Sequence, residues 1–138
     1  MRLEITRRAD LAVRAMALLA DGRQLKATDL ADGLEATPGF VPQVIGPLVK
    51  AGWVRSEPGP SGGYLIAVPP EQVSVLDVIE AVDGPTDTGQ CVVAALPCGR
   101  SAPCALHSAW AHAREELMQS LRSIPIAQLA TTVAVPAP

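Results

Sequence analysis

The stretch LVKAGWVRSEPGPSGGYLIAV, residues 48–68, decides how the rest of the chain is read. It begins on apolar residues that belong to a helix and stops at Gly52, the residue type that ends helices because it tolerates a left-handed backbone. Two short apolar and β-branched runs follow, Trp53–Ser56 and Tyr64–Val68, on either side of Glu57-Pro-Gly-Pro-Ser-Gly-Gly63. Two such runs around a loop of turn formers predict a β-hairpin.

Immediately upstream, Val41, Val44, Ile45 and Leu48 recur at helical spacing and mark one buried stripe. Glu35-Ala36-Thr37-Pro38 before them predicts a turn, with Thr37 as the N-cap and Pro38 as the first helical residue. Pro42 and Pro47 each remove a backbone donor, so this helix is expected to be distorted at Pro47. A shorter helix precedes it, with Leu25, Leu30, Ala31 and Leu34 inward and Thr28 and Asp29 at its start. Two helices across a short turn predict a helix-turn-helix, and the hairpin after it completes a winged helix.

Before this unit, Leu11, Ala15, Leu18 and Leu19 predict a helix over Thr6–Ala20 that ends at Asp21-Gly22. Beyond the wing, Ser74 to Gly84 predicts a short helix capped by Ser74, with Asp77 in its first turn and Gly84 as its stop. Pro85 to Pro103 shows no sustained period and is the longest loop. From Cys104 to Ile124 a stripe of Leu106, Trp110, Ala113, Leu117, Leu121 and Ile124 predicts a long helix that outruns its own core, so a second copy of the chain is its expected partner. The fold class is therefore mainly α with a small β-hairpin wing, a winged helix-turn-helix plus a long C-terminal dimerisation helix. The expected organisation is a DNA-binding domain over 1–70, a linking helix over 71–84, a cysteine loop over 85–104, a dimerisation helix over 104–130 and a flexible tail over 131–138.

The 138 residues suffice for one core, built from Leu, Val, Ala and Ile because aromatic residues make up only 3% of the chain. No uninterrupted apolar run of membrane-spanning length and no signal-type start occur, so a cytoplasmic protein without a membrane partner is expected. The net charge of −3 conceals an asymmetry: residues 56–99 carry acids and no Lys or Arg, whereas Lys and Arg outnumber the acids before them. No GxSxG, phosphate-binding glycine loop or HExxH occurs, and no catalytic constellation stands out. The chain is not expected to be an enzyme.

Cys91, Cys98 and Cys104 are the protein's three cysteines, separated by six and then five residues. An odd number of thiols in a cytoplasmic chain argues against a disulfide framework and for metal or thiol chemistry. Three soft ligands in a loop shaped by Pro97, Gly99 and Pro103 suit an iron–sulfur cluster or zinc, and free thiols are the remaining alternative. A cluster commonly takes four protein ligands. His107, three residues after Cys104, and Asp10 on the first helix are the two candidates for the fourth, although Asp10 also has Arg7 and Arg14 at ion-pairing spacing. His112 is read as a surface residue. For DNA, the candidate contacts are Arg7, Arg14, Thr28, Thr37, Gly39, Gln43, Lys50 and Arg55, with Ser61 and Gly62 in the wing loop. Gln43 is the best base reader, since its amide can pair with adenine through two hydrogen bonds.

Met1-Arg2-Leu3, RRADLAVRAMALLA (7–20), LVKAGWVRSEPGPSGGYLIA (48–67), SVLDVIEAVDG (74–84) and the cysteine triplet resemble, in this order, the Rrf-two family of bacterial winged-helix regulators of the IscR, NsrR and RirA types. The resemblance covers about residues 1–130. It implies a homodimer whose C-terminal helices cross, binding a palindromic operator in double-stranded DNA. It also implies a [2Fe-2S] or [4Fe-4S] cluster on Cys91, Cys98 and Cys104 that controls transcription, as a repressor, in response to nitric oxide, redox stress or iron–sulfur status; the alternatives are a thiol-switch or zinc-holding regulator without a cluster, and an iron–sulfur carrier or electron-transfer protein on a winged-helix scaffold. His107 stands where the IscR-like branch has a histidine ligand, and Asp10 where the NsrR-like branch has an aspartate ligand. Two departures are evident: Pro58 replaces the arginine common before the wing's Gly-Pro, and Gly46-Pro47 replaces a polar pair of the recognition helix.

Overall fold

A computed structural model describes residues 3–90, 92 and 105–130. Cys91, Cys98, Cys104 and the predicted tail lie outside the described residues.

The first helix, α1 (Arg7–Leu19), is the hub. Thr6 caps it by accepting the Ala9 N–H at 3.0 Å, and its hydroxyl also donates to the Asp83 carboxylate at 2.9 Å. Ala9, Ala12, Ala15, Leu11, Met16 and Leu19 are all buried. Alanine on several faces lets neighbours approach closely, so α1 contacts every other helix of the winged unit. Helix α2 (Ala27–Leu34) starts one residue before Thr28, with Lys26 as N-cap. The Asp29 carboxylate accepts the Lys26 N–H at 2.9 Å, so the acid supplies the cap.

A 3-10 turn at Pro38–Phe40 separates α2 from α3 (Val41–Lys50). Thr37 precedes that turn without a side-chain cap and accepts the Phe40 N–H through its carbonyl at 3.0 Å. Helix α3 runs unbroken through Pro47. The donor that Pro47 lacks would have served the carbonyl of Gln43, which is an exposed residue, so the helix loses one bond where water is available. Val41, Val44, Ile45 and Leu48 are buried as a stripe, each full burial contributing roughly 1.5–3 kcal/mol. The helix closes with paired bonds, Gly52 N–H to Val49 and Trp53 N–H to Leu48, both 3.0 Å, with Gly52 at φ +84°.

Strands β1 (Val54–Glu57) and β2 (Gly63–Ile66) pair antiparallel, with Val54 opposite Ile66 and Glu57 opposite Gly63. A side chain at Gly62 would run into the carbonyls of Glu57 and Pro58, so the loop closes only around glycine. Leu25 and Tyr64 exchange backbone bonds of 3.0 and 2.8 Å, which ties the wing to the connection between α1 and α2.

Helix α4 (Val75–Asp83) has the predicted capping box: Asp77 N–H to Ser74 Oγ at 3.1 Å and Ser74 N–H to Asp77 Oδ2 at 2.8 Å. It packs on α1 and α3 and buries Val75, Leu76, Val78 and Ile79. The C-terminal pattern resolves into two helices, α5 (His107–Arg122) and α6 (Ile126–Ala130). Pro125 explains the break, because a proline disfavours helical backbone at the residue before it. Helix α6 returns to α1, with Ile126 fully buried in the same core as the winged unit.

Candidate DNA-binding face and cysteine-loop cleft

Helices α2 and α3 and the β1–β2 wing follow one another in the order of a winged helix. Thr28, Thr37, Gly39, Gln43 and Lys50 are all exposed on this unit. Helix α3 turns its stripe of Val41, Val44, Ile45 and Leu48 into the core, which leaves Pro42, Gln43, Gly46, Val49 and Lys50 facing out. Of the wing residues, Ser61 is exposed and Gly62 is buried, so Gly62 serves the loop's own closure.

Two of the predicted arginines already hold partners. Arg14 Nε lies 3.1 Å from Asp10 Oδ1 across one helical turn, and Arg55 Nε lies 3.3 Å from Glu57 Oε1 along β1. Both pairs are solvent-exposed and therefore exchangeable for phosphate at little cost. Arg7 is exposed on the first turn of α1. Gln24, which sequence reasoning missed, donates from Nε2 to the Ser61 carbonyl at 2.7 Å. Nothing in the sequence signals that bond, since its partners are 37 residues apart.

Asp87, Gly89, Gln90, Val92, His107, Trp110, Ala111 and Arg114 line a cleft of ≈ 310 Å³. Gln90 and Val92 are the chain neighbours of Cys91, and His107 is the first residue of α5. Arg114, 23% exposed, reaches from α5 to Asp87 at 3.2 Å and closes one side of the cleft. Among the described residues no group of three or more His, Cys, Asp or Glu side chains gathers into a metal site. Asp10 lies on α1, bonded to Arg14. His112 is exposed on α5.

The family described as Rrf2, iron-dependent transcriptional regulator, matches residues 5–132. The chain belongs to the Rrf2 family. Rrf2 proteins are regulators of transcription rather than enzymes. A Haemophilus influenzae protein named as an HTH-type transcriptional regulator is 31% identical over 123 residues, covering 89% of this chain and 81% of that one. The HTH-type transcriptional regulator IscR of Aliivibrio salmonicida is 28% identical over 130 residues, 92% of this chain and 77% of its own. Among solved structures, CymR, the global cysteine regulator of B. subtilis, superposes with a TM-score of 0.79 over 95% of this chain and 98% of that one at 22% identity, a likeness of fold. No described helix of this Rrf2 protein is long and apolar enough to cross a membrane.

Proposed function

We propose that this protein is a cytoplasmic, homodimeric repressor that binds a palindromic operator in double-stranded DNA and is controlled by an iron–sulfur cluster. Cys91, Cys98 and Cys104 supply three ligands and His107 the fourth; Asp10, held by Arg14, is the second candidate. The observation that carries this reading is the cleft shared by Gln90, Val92 and His107. Residues next to Cys91 and a histidine three residues beyond Cys104 meet at one place, and thiolates with an imidazole are an iron–sulfur donor set.

The cluster, when bound, supplies a tie between loop and helix that oxidants or nitric oxide can cut. Helix α5 packs on α4, and α4 packs on α1 and α3, so a change at the cleft has a continuous packed route to the recognition helix. Trp110 and Leu117 on α5, and Leu106 just before it, are large apolar residues left exposed, Leu117 at 47%, which supports a second copy as the partner of that helix.

Anaerobic cluster reconstitution followed by absorption spectroscopy and DNA binding tests the proposal. A brown protein whose operator affinity changes when the cluster is degraded is expected; a colourless protein would overturn it. The likeness to CymR, named a cysteine regulator, favours one second reading, a thiol switch or zinc-holding site on the same cysteines. Loss of two hydrogens in the mass on mild oxidation, without visible absorption, would select it.

A further inference from the structure

Helix α3 has a gap in its outward face. Gly46 sits in the interior of the helix, where glycine is the poorest former after proline. The fold gives reasons for its other tight glycines: Gly52 has a left-handed backbone, and a Cβ at Gly62 would meet the carbonyls of Glu57 and Pro58. At Gly46 the local constraint is Pro47, whose ring disfavours helical backbone for a preceding residue that carries a Cβ. The φ of Gly46 is not positive, and beyond its chain neighbours and the helix's own backbone a Cβ built on it meets nothing within 4 Å, so the space outside the helix is open here.

The surroundings of the gap give it chemical character. Pro42, four residues before, and Val49, three residues after, share its face and are exposed, Val49 at 38%. Gln43 and Lys50 flank the same strip. The result is an apolar notch between two apolar rims, with an amide and an ammonium beside it. In the major groove each base pair presents donors and acceptors, and the one apolar group is the C5-methyl of thymine.

Resting on the reading of α3 as the helix that enters the major groove, we propose that Gly46 is a specificity-determining residue, a notch between Pro42 and Val49 that seats a thymine methyl in each operator half-site. The absence of a side chain lets the base edge reach the helix backbone, and Gln43 is then positioned to read a neighbouring base pair.

The test uses full-length protein and duplexes selected from a random pool by the wild type. Gly46→Ala is expected to weaken binding by about tenfold, within the range of a specific base contact, at unchanged helical content by circular dichroism. Replacing thymines by uracil one at a time is expected to reveal one position per half-site that costs the wild type about fourfold, the worth of one buried methyl group. The same replacement should not affect Gly46→Ala. Equal binding by Gly46→Ala or a flat uracil series would each overturn the proposal. Failure of the wild type to select any duplex would instead defeat the DNA-binding reading on which it rests.

Discussion

The side-chain amide of Gln24 donates a 2.7 Å hydrogen bond to the backbone carbonyl of Ser61, joining the connection before α2 to the loop of the wing. Beside it, Leu25 and Tyr64 exchange backbone bonds, so the wing is anchored at its second strand and at its loop. The loop from Glu57 to Gly63 holds no Lys or Arg, so a DNA contact by this wing would depend on placement of its backbone rather than on a cation.

Gln24→Ala should therefore weaken DNA binding about threefold to tenfold, the worth of one net hydrogen bond in wing placement. Because the bond is exposed, the melting temperature should stay within about 2 °C of wild type. Hydroxyl-radical footprinting separates the effects: reduced protection beneath the wing is expected, and an unchanged footprint with unchanged affinity would remove Gln24 from the interface.

Ser74→Ala removes the acceptor for the Asp77 N–H and leaves half of the α4 capping box. A loss of ~1 kcal/mol in urea denaturation is expected. Loss of similar size in Asp77→Ala, with little further loss in the double variant, would show that the two caps act as one unit.

Ile126→Ala tests the return of α6 onto the core. Ile126 is fully buried against the winged unit, so the truncation should cost about 2–5 kcal/mol. A loss below about 1 kcal/mol would mean that α6 does not belong to the cooperative core.

For the fourth ligand, His107→Ala is expected to lose or convert the cluster after anaerobic reconstitution, whereas Asp10→Ala should keep the wild-type spectrum. Native mass spectrometry reads the iron and sulfur count directly. The opposite pattern would transfer the role to Asp10.

Leu117→Glu places a charge on the exposed apolar face of α5. Sedimentation should show a dimer for wild type and a monomer for the variant, at unchanged helical content by circular dichroism. A wild-type monomer would refute the second copy as the partner of α5.

Local chemistry determined the elements that the sequence revealed by itself. Ser74 and Asp77 sit at capping distance whatever surrounds them, Gly52 stops α3 through its own backbone freedom, and turn formers between β-branched runs specify the wing. Pro47 does not end α3, because a proline's effect depends on which carbonyl it deprives. Here that carbonyl belongs to Gln43 on the solvent side, which only the packing of α3 decides. Likewise, the period of the C-terminal stripe continues to Ile124, but the break at Pro125 and the burial of Ile126 turn the chain back onto α1. The contacts from Gln24 to Ser61 and from Arg114 to Asp87, and the meeting of Gln90 and Val92 with His107, join residues far apart in sequence. Periodicity and capping report on neighbours along the chain; contacts of this kind exist only once the helices have packed.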